Sequence, residues 1–200
     1  MPRGVLLNQK PVFLGGQGGL VGPARIAYGC VIAAGSVCRK DILEENQLHV
    51  PAAPAEKTVP FEPFAYGNID RIVKNNLIYI GNIRALKAWY QKVRVLFIRD
   101  DFDRACHEGA LANLDLILKE RFQRLEQLVA KVPVVGKKWP QFSKAWKAPL
   151  ETVACAELIS EIEKANGADY IAAVQNLSEA SRAGATAWLQ SIVDETVSGC

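Results

Sequence analysis

The sequence predicts an α+β protein in which a short left-handed β-helix remnant is followed by an all-α helical region. Three observations lead to this fold class. An aliphatic residue recurs every six positions near the N-terminus, a run of prolines follows residue 50, and the remainder shows the three- and four-residue spacing of amphipathic helices. We therefore divide the chain into the β-helix coils at 1–50, a linker at 51–66 and a helical domain at 67–200.

The six-residue repeat begins at Leu14. Each block of six starts with Leu or Ile, and its fifth position carries a small residue. The block starts are Leu14, Leu20, Ile26 and Ile32, and the small residues are Gly18, Ala24, Cys30 and Ser36. This period is typical of a coil of short flat strands whose aliphatic side chains point to a narrow axis, while small residues let the backbone turn. The alternative interpretation is a glycine-rich loop followed by a short strand.

Prolines mark the boundary between the predicted domains. The linker contains Pro51, Pro54, Pro60 and Pro63, whose fixed backbone angle and missing N–H disfavour a helix or a central strand. Beyond the linker, apolar spacing predicts helices at about 68–98, 103–131, 149–165, 168–178 and 180–197. Gly81 falls inside the first of these, where it indicates a bend or close packing, and Gly167 is placed as a helix stop.

Composition argues against several classes of protein. Half of the residues are apolar and 22% are charged, as in ordinary globular proteins, and a formal net charge of +3 is too small to indicate a nucleic-acid partner. We find no signal peptide and no apolar run of the ~18 residues that a membrane span needs. Five scattered cysteines form no metal-ligand pattern and are expected to be reduced. These features predict a cytoplasmic protein without a membrane partner or a metal.

Residues 13–42 read FLGGQGGLVGPARIAYGCVIAAGSVCRKDI and resemble the last coils of the hexapeptide-repeat (left-handed β-helix) sugar-nucleotide transferases. The likeness lies in a coil that ends IAAG and continues through a small residue to a basic pair and Asp41. The stretches PRGVLLNQ and GGQGGLVGP are similar to the C-terminal end of bacterial UDP-N-acetylglucosamine pyrophosphorylase/acetyltransferase-related proteins. The resemblance covers about a fifth of the chain, and hexapeptide signatures identify a fold better than a substrate.

This resemblance implies a transferase-related protein whose coil end binds acetyl-CoA or a nucleotide sugar. Ala34 falls where the family uses a backbone group in its acetyl-CoA pocket. The implied cofactor-binding residues are Ala34, Ser36, Arg39 and Lys40.

Other parts of the family's pattern are replaced or missing in these 200 residues. Gly16 stands where the family has a serine, and the position of its arginine beyond the final coil falls near Pro51. The family's general-base histidine, sugar-binding residues and nucleotidyltransferase domain have no counterpart here, so we assign no catalytic residue.

Three further groups have a structural interpretation beside a functional one. His49 and His107 are the only histidines, and we interpret both as structural rather than as general bases. The acidic and basic cluster at 99–104 is interpreted as a helix cap rather than a metal or phosphate site. The segment 137–147 interleaves lysines with aromatic residues, and we interpret its aromatics as packed on neighbouring helices rather than on a membrane or single-stranded nucleic acid.

Three hypotheses of function follow. The first is a non-catalytic member of the sugar-nucleotide transferase group that serves assembly. Too few repeats are present to bury a core alone, so a second copy in a homo-oligomer, or upstream coils of a longer chain, must complete it. The second is an acyl-CoA- or nucleotide-sugar-binding transferase that uses the coil end. The third is a helical module in which 68–98 and 103–131 form an antiparallel pair that docks a partner.

Overall fold

Helices account for most of the residues that the structure describes. The computed structural model describes residues 2–52, 55–63, 68–132, 156–165, 167 and 169–198. Within these residues the α-helices are α1 Ile69–Lys92, α2 Asp101–Lys131, α3 Ala156–Lys164, α4 Tyr170–Gln175 and α5 Glu179–Ser198, and 3₁₀ helices span Pro2–Leu6 and Arg94–Phe97. All five predicted helices therefore occur with shifted ends, although residues 149–155 of the third lie outside the described part.

The strands are two residues long and pair in parallel. They are β1 Phe13–Leu14, β2 Gly19–Leu20, β3 Val31–Ile32, β4 Val37–Cys38 and β5 Leu48–His49. One sheet has the order β1-β3-β5, and β2 pairs with β4 in a second sheet. Phe13 pairs with Val31 and Gly19 with Val37, so partners in these two pairs lie eighteen residues apart in the sequence.

The predicted fold class is wrong in its first part. The chain is mostly helical with a few short parallel strands, and no left-handed β-helix is evident at residues 1–50. Among the four aliphatic block starts only Ile32 is buried, whereas the side chains of Leu14 and Leu20 are 51% and 45% exposed. The physical reason is that a repeat buries its apolar face only against neighbouring repeats, and four blocks are too few to enclose an axis.

The chain divides into two compact units. One comprises Met1–Asn8 and Asn76–Cys200, and the other comprises Gln9–Asn75, so the division falls within α1. The first residues belong with the helices because Leu6 is buried in their core. The domains expected from the sequence, at 1–50, 51–66 and 67–200, instead grouped these first residues with the strands. The described residues between 51 and 63 form neither helix nor strand.

We call the unit that comprises Met1–Asn8 and Asn76–Cys200 the helical unit. Its core is built from aromatic and aliphatic side chains of α1, α3, α4 and α5. Its largest fully buried members are Trp89 and Ile80 of α1, Leu158 of α3, and Leu189 and Ile192 of α5. Gly81 lies against α5, where a Cβ placed on it would come within 3.0 Å of the Val193 Cα. The expectation of close packing at this glycine is therefore confirmed.

Helices α1 and α2 form an antiparallel pair. The Lys87 ammonium of α1 bonds the Asp115 carboxylate of α2. Further along, the Arg121 guanidinium lies 4.8 Å from the Tyr79 ring centroid. Tyr79 precedes Lys87 in α1, whereas its partner Arg121 follows Asp115 in α2. The two helices therefore run antiparallel, as the third hypothesis of function expected. Much of α2 remains exposed, and its buried residues are Leu114 and Leu125.

Candidate functional site

A cleft of about 690 Å³ lies in the Gln9–Asn75 unit. We call it the cationic cleft. It is lined by Ala33, Ala34, Gly35, Ser36, Val37, Arg39, Lys40, His49, Val50, Pro51 and Ala52. The four residues that the sequence predicted for cofactor binding, Ala34, Ser36, Arg39 and Lys40, are thus brought together at one place.

The turn between β3 and β4 forms one wall of the cleft. The Ser36 N–H donates to the Ala33 carbonyl at 3.3 Å, and the Gly35 N–H donates to the Gly16 carbonyl at 2.8 Å. Gly35 has a φ of +69°, a conformation that glycine adopts without steric cost. Gly15 packs so closely on this turn that an added Cβ would lie 2.4 Å from the Ala34 nitrogen. The backbone of residues 15–16 therefore holds the turn in place, by close packing at Gly15 and by a hydrogen bond at Gly16.

The segment after β4 carries the positive charges. Arg39 and Lys40 are exposed, and no carboxylate in the described part of the chain forms an ion pair with either side chain. The Arg71 guanidinium donates to the Arg39 carbonyl at 3.1 Å, and the Cys38 thiol donates to the Lys40 carbonyl at 3.2 Å. Both backbone carbonyls are therefore anchored while both cationic side chains remain available to a ligand.

Asp41 anchors the end of this segment. Its carboxylate accepts two hydrogen bonds from the Arg25 guanidinium, at 2.7 and 2.9 Å, and one from the Asn75 amide at 3.2 Å. Burial by itself raises the pKa of this carboxyl, but the hydrogen bonds from Arg25 and the charges of Arg25 and Arg71 together hold the pKa below its ordinary value. The carboxylate of Asp41 therefore stabilises the fold through these contacts, and we assign it no role in ligand binding.

The opposite wall comes from β5 and the residues after it. His49 lies beside Ile32 in the parallel register, and its carbonyl accepts from the Ala33 N–H at 3.0 Å. Val50, Pro51 and Ala52 continue this wall. The six-residue repeat does not join His49 to the site, because β5 pairs with β3 seventeen residues away and lies outside the repeat. Near Pro51 the resemblance had placed only the position of an arginine that this chain lacks.

The chemistry of the cationic cleft favours an anion with an apolar part. Arg39 and Lys40 supply two positive charges, and none of the lining residues is Asp or Glu. The turn and the opposite wall add small and aliphatic surface. Ser36 and His49 both line the cleft, but no hydrogen bond joins them, so the structure presents no activated nucleophile there.

The other candidate residues have structural roles. A ring nitrogen of His107 lies 3.0 Å from the Tyr90 carbonyl in the α1–α2 pair. Asp100 caps α2 by accepting from the Asp103 N–H at 2.8 Å, as expected of the 99–104 cluster. Cys30 and Cys38 are buried free thiols, and Cys106 is an exposed one. The segment 137–147 lies outside the described residues.

The described ranges contain neither a metal-ligand cluster nor a membrane-spanning helix. No group of three or more His, Cys, Asp or Glu residues there is placed to hold a metal ion. Nor is any helix among those residues both long and apolar enough to cross a membrane.

In comparisons with known proteins, no family model, curated protein or solved structure matches this chain.

Proposed function

We propose that the cationic cleft binds a phosphate-bearing acyl or sugar carrier, the chemical class of acetyl-CoA and of UDP-N-acetylglucosamine. One observation carries the proposal: Arg39 and Lys40 line a cleft with no carboxylate among its lining residues. Charge-assisted hydrogen bonds from Arg and Lys to phosphate oxygens are among the strongest polar contacts that proteins make. A diphosphate, which both carriers contain, offers each cation its own phosphate group.

The size and the walls of the cleft agree with this class of ligand. Its volume of about 690 Å³ lies within the range of ~300–1,000 Å³ that is usual for small-molecule sites. Val37, Val50 and Pro51 give an apolar surface for the part of the carrier that has no charge. The resemblance to sugar-nucleotide transferases selects the same four residues, and it remains a prediction.

The proposed role is binding rather than group transfer by this chain alone. Transfer to an acceptor needs a general base within hydrogen-bond reach of the attacking group. The one histidine that lines the cleft, His49, forms no hydrogen bond with another lining side chain and is placed by its strand. We therefore place the chain in sugar-nucleotide or acyl metabolism as a carrier-binding, non-catalytic component, with a cytoplasmic location as part of the proposal.

Isothermal titration calorimetry of the full chain tests this function. We expect acetyl-CoA or UDP-N-acetylglucosamine to bind, and the double variant Arg39→Gln/Lys40→Gln to bind at least about tenfold more weakly, since each lost charged contact costs ~1.5–3 kcal/mol. The control Lys74→Gln/Arg104→Gln removes the same net charge from exposed positions outside the cleft and should bind as the parent does. Absence of heat with both ligands contradicts the proposal.

A second role, self-association, is favoured by the open edges of the sheets. Among the residues that the structure describes, strand β1 pairs on one side only, and Phe13 and Leu14 in it are 60% and 51% exposed. Unpaired backbone groups beside exposed apolar side chains invite pairing with another strand. We propose that a second copy of the chain covers this edge, because two copies offer each other the same strand in a closed symmetric pair.

A further inference from the structure

The helical unit has a cleft of its own, which the proposed function does not use. Its volume is about 520 Å³, and we call it the aromatic cleft. Trp89, Tyr90 and Tyr170 line it together with Arg94, and aliphatic residues such as Leu86 and Ile171 complete its walls. It thus combines a mainly apolar surface with one guanidinium and two phenols.

Arg94 is held in place without a carboxylate partner. Its guanidinium carbon lies 4.0 Å from the Tyr170 ring centroid and 6.0 Å from that of Tyr90, so stacking on aromatic rings positions it. No Asp or Glu of the described chain lies within ion-pair distance of it, and Asp169, which also lines the cleft, accepts from the Ile171 N–H at 3.1 Å. A stacked guanidinium keeps its N–H groups in its own plane, free to donate sideways.

Tyr170 adds a second donor beside Arg94. Its hydroxyl oxygen accepts from the Trp89 indole N–H at 2.9 Å, which leaves the hydroxyl proton for another acceptor. Burial raises the pKa of Tyr170, while the bond from Trp89 and the charge of Arg94 lower it by less. The phenol therefore stays protonated at neutral pH and remains a donor.

We propose that the aromatic cleft binds a small organic monocarboxylate with an aromatic or aliphatic body. The carboxylate accepts from the Arg94 guanidinium and the Tyr170 hydroxyl, and the body lies on the aliphatic wall formed by Leu86 and Ile171. A cation is disfavoured because Arg94 repels it. A multiply charged anion is disfavoured because the cleft supplies one positive charge and also contains Asp169.

An NMR titration of the full chain with 3-phenylpropionate tests the proposal. The indole N–H signal of Trp89 reports binding, and 3-phenylpropanamide is the uncharged analogue. We expect the carboxylate to shift this signal saturably and the amide to bind at least about tenfold more weakly, since a charge-assisted contact is lost. Arg94→Gln should weaken binding of the carboxylate by a similar factor, and Tyr170→Phe should weaken it by a smaller one.

The matched control is Arg124→Gln, which removes an exposed arginine from α2 outside the cleft. It should bind the carboxylate as the parent does. The proposal is overturned if the carboxylate fails to shift the Trp89 signal, if the amide binds equally well, or if Arg94→Gln binds unchanged. The carboxylate and the amide are compared on the parent protein, so this part of the test stands even if a variant fails to fold. Signals of residues 33–40 should stay unchanged, which separates this site from the cationic cleft.

Discussion

At the scale of single residues, the cationic cleft depends on one contact that a methyl group would break. A Cβ on Gly15 would lie 2.4 Å from the nitrogen and 2.6 Å from the Cα of Ala34, and this backbone cannot swing away as a flexible side chain can. Gly16, its neighbour, has open space where a Cβ would be built. The two glycines therefore form a matched pair.

We expect Gly15→Ala to lower the free energy of unfolding by about 1–3 kcal/mol, the usual cost of overpacking, and to weaken binding in the cationic cleft. Gly16→Ala should change neither quantity by more than about 0.5 kcal/mol, as surface substitutions usually do. Urea unfolding and calorimetry check both variants. If Gly15→Ala behaves as Gly16→Ala does, the turn at Ala34 is not held as described.

The carboxylate of Asp41 predicts how stability depends on pH. Its pKa in the folded chain lies below its ordinary value of 3.8. The stabilisation it gives is therefore fully present above that value and is lost as the pH falls through the folded pKa. Asp41→Asn should lower the free energy of unfolding by about 1.5 kcal/mol at pH 7, because the variant lacks the charged acceptor that Arg25 bonds in the parent, and by progressively less below pH 4.

Urea unfolding at a series of pH values between 2 and 7 measures this difference. Glu126→Gln is the control, because Glu126 is an exposed residue of α2. Its difference from the parent should stay small at every pH. A constant cost of Asp41→Asn across the series would show that the carboxylate is not preferentially stabilised by Arg25.

At the scale of elements, the contact of α1 with α5 is set by a glycine. An added Cβ at Gly81 would meet the Val193 Cα at 3.0 Å and its Cγ1 at 3.2 Å, whereas at Gly109 in α2 it would meet nothing within 4 Å. Alanine favours a helix over glycine by ~1 kcal/mol at either position. Gly109→Ala should therefore stabilise the protein by up to that amount.

Gly81→Ala should instead destabilise the protein, by about 1 kcal/mol net, since overpacking outweighs the gain in helix propensity. Thermal unfolding followed by circular dichroism compares the two variants. A rise in melting temperature for both would mean that α1 and α5 can move apart without cost.

The helices could be predicted from the sequence because apolar spacing and capping residues are local features of the chain. The pair α1 and α2 shows this, since its spacing and the capping residue Asp100 are local signals. The strands and their pairing were harder to predict than the helices. Their pairing joins residues far apart in the chain, and the six-residue pattern does not show that Leu14 and Leu20 stay exposed.

The candidate site was predicted in part for the same reason. Ala34, Ser36, Arg39 and Lys40 lie close together in sequence, so one segment supplies them. His49 and the wall after it come from β5, whose register with β3 no local pattern reveals. The aromatic cleft was missed entirely, because it joins Trp89 and Arg94 to Tyr170 from a distant helix.

At the scale of the whole molecule, the open edge of β1 predicts a homo-oligomer. A lysine in an edge strand opposes pairing with a second chain, because its charge would be buried against the partner. Phe13→Lys should therefore shift the protein to the mass of one chain in size-exclusion chromatography with light scattering. Phe61→Lys is the control, because Phe61 is 88% exposed and lies outside the strands.

The parent and Phe61→Lys should both elute with the mass of two or more chains at the same loading concentration. A parent that elutes as one chain refutes self-association while leaving the binding role of the cationic cleft untouched. A Phe13→Lys variant that remains oligomeric places the interface elsewhere than β1.

The central claim is that a phosphate-bearing carrier occupies the cationic cleft. The most direct test is an NMR titration of the isotope-labelled chain with acetyl-CoA and, separately, with UDP-N-acetylglucosamine. We expect at least one ligand to shift the backbone signals of residues 33–40 and 48–52 saturably, and these shifts to vanish in Arg39→Gln/Lys40→Gln. Saturable shifts confined to other residues, or none with either ligand, would contradict it.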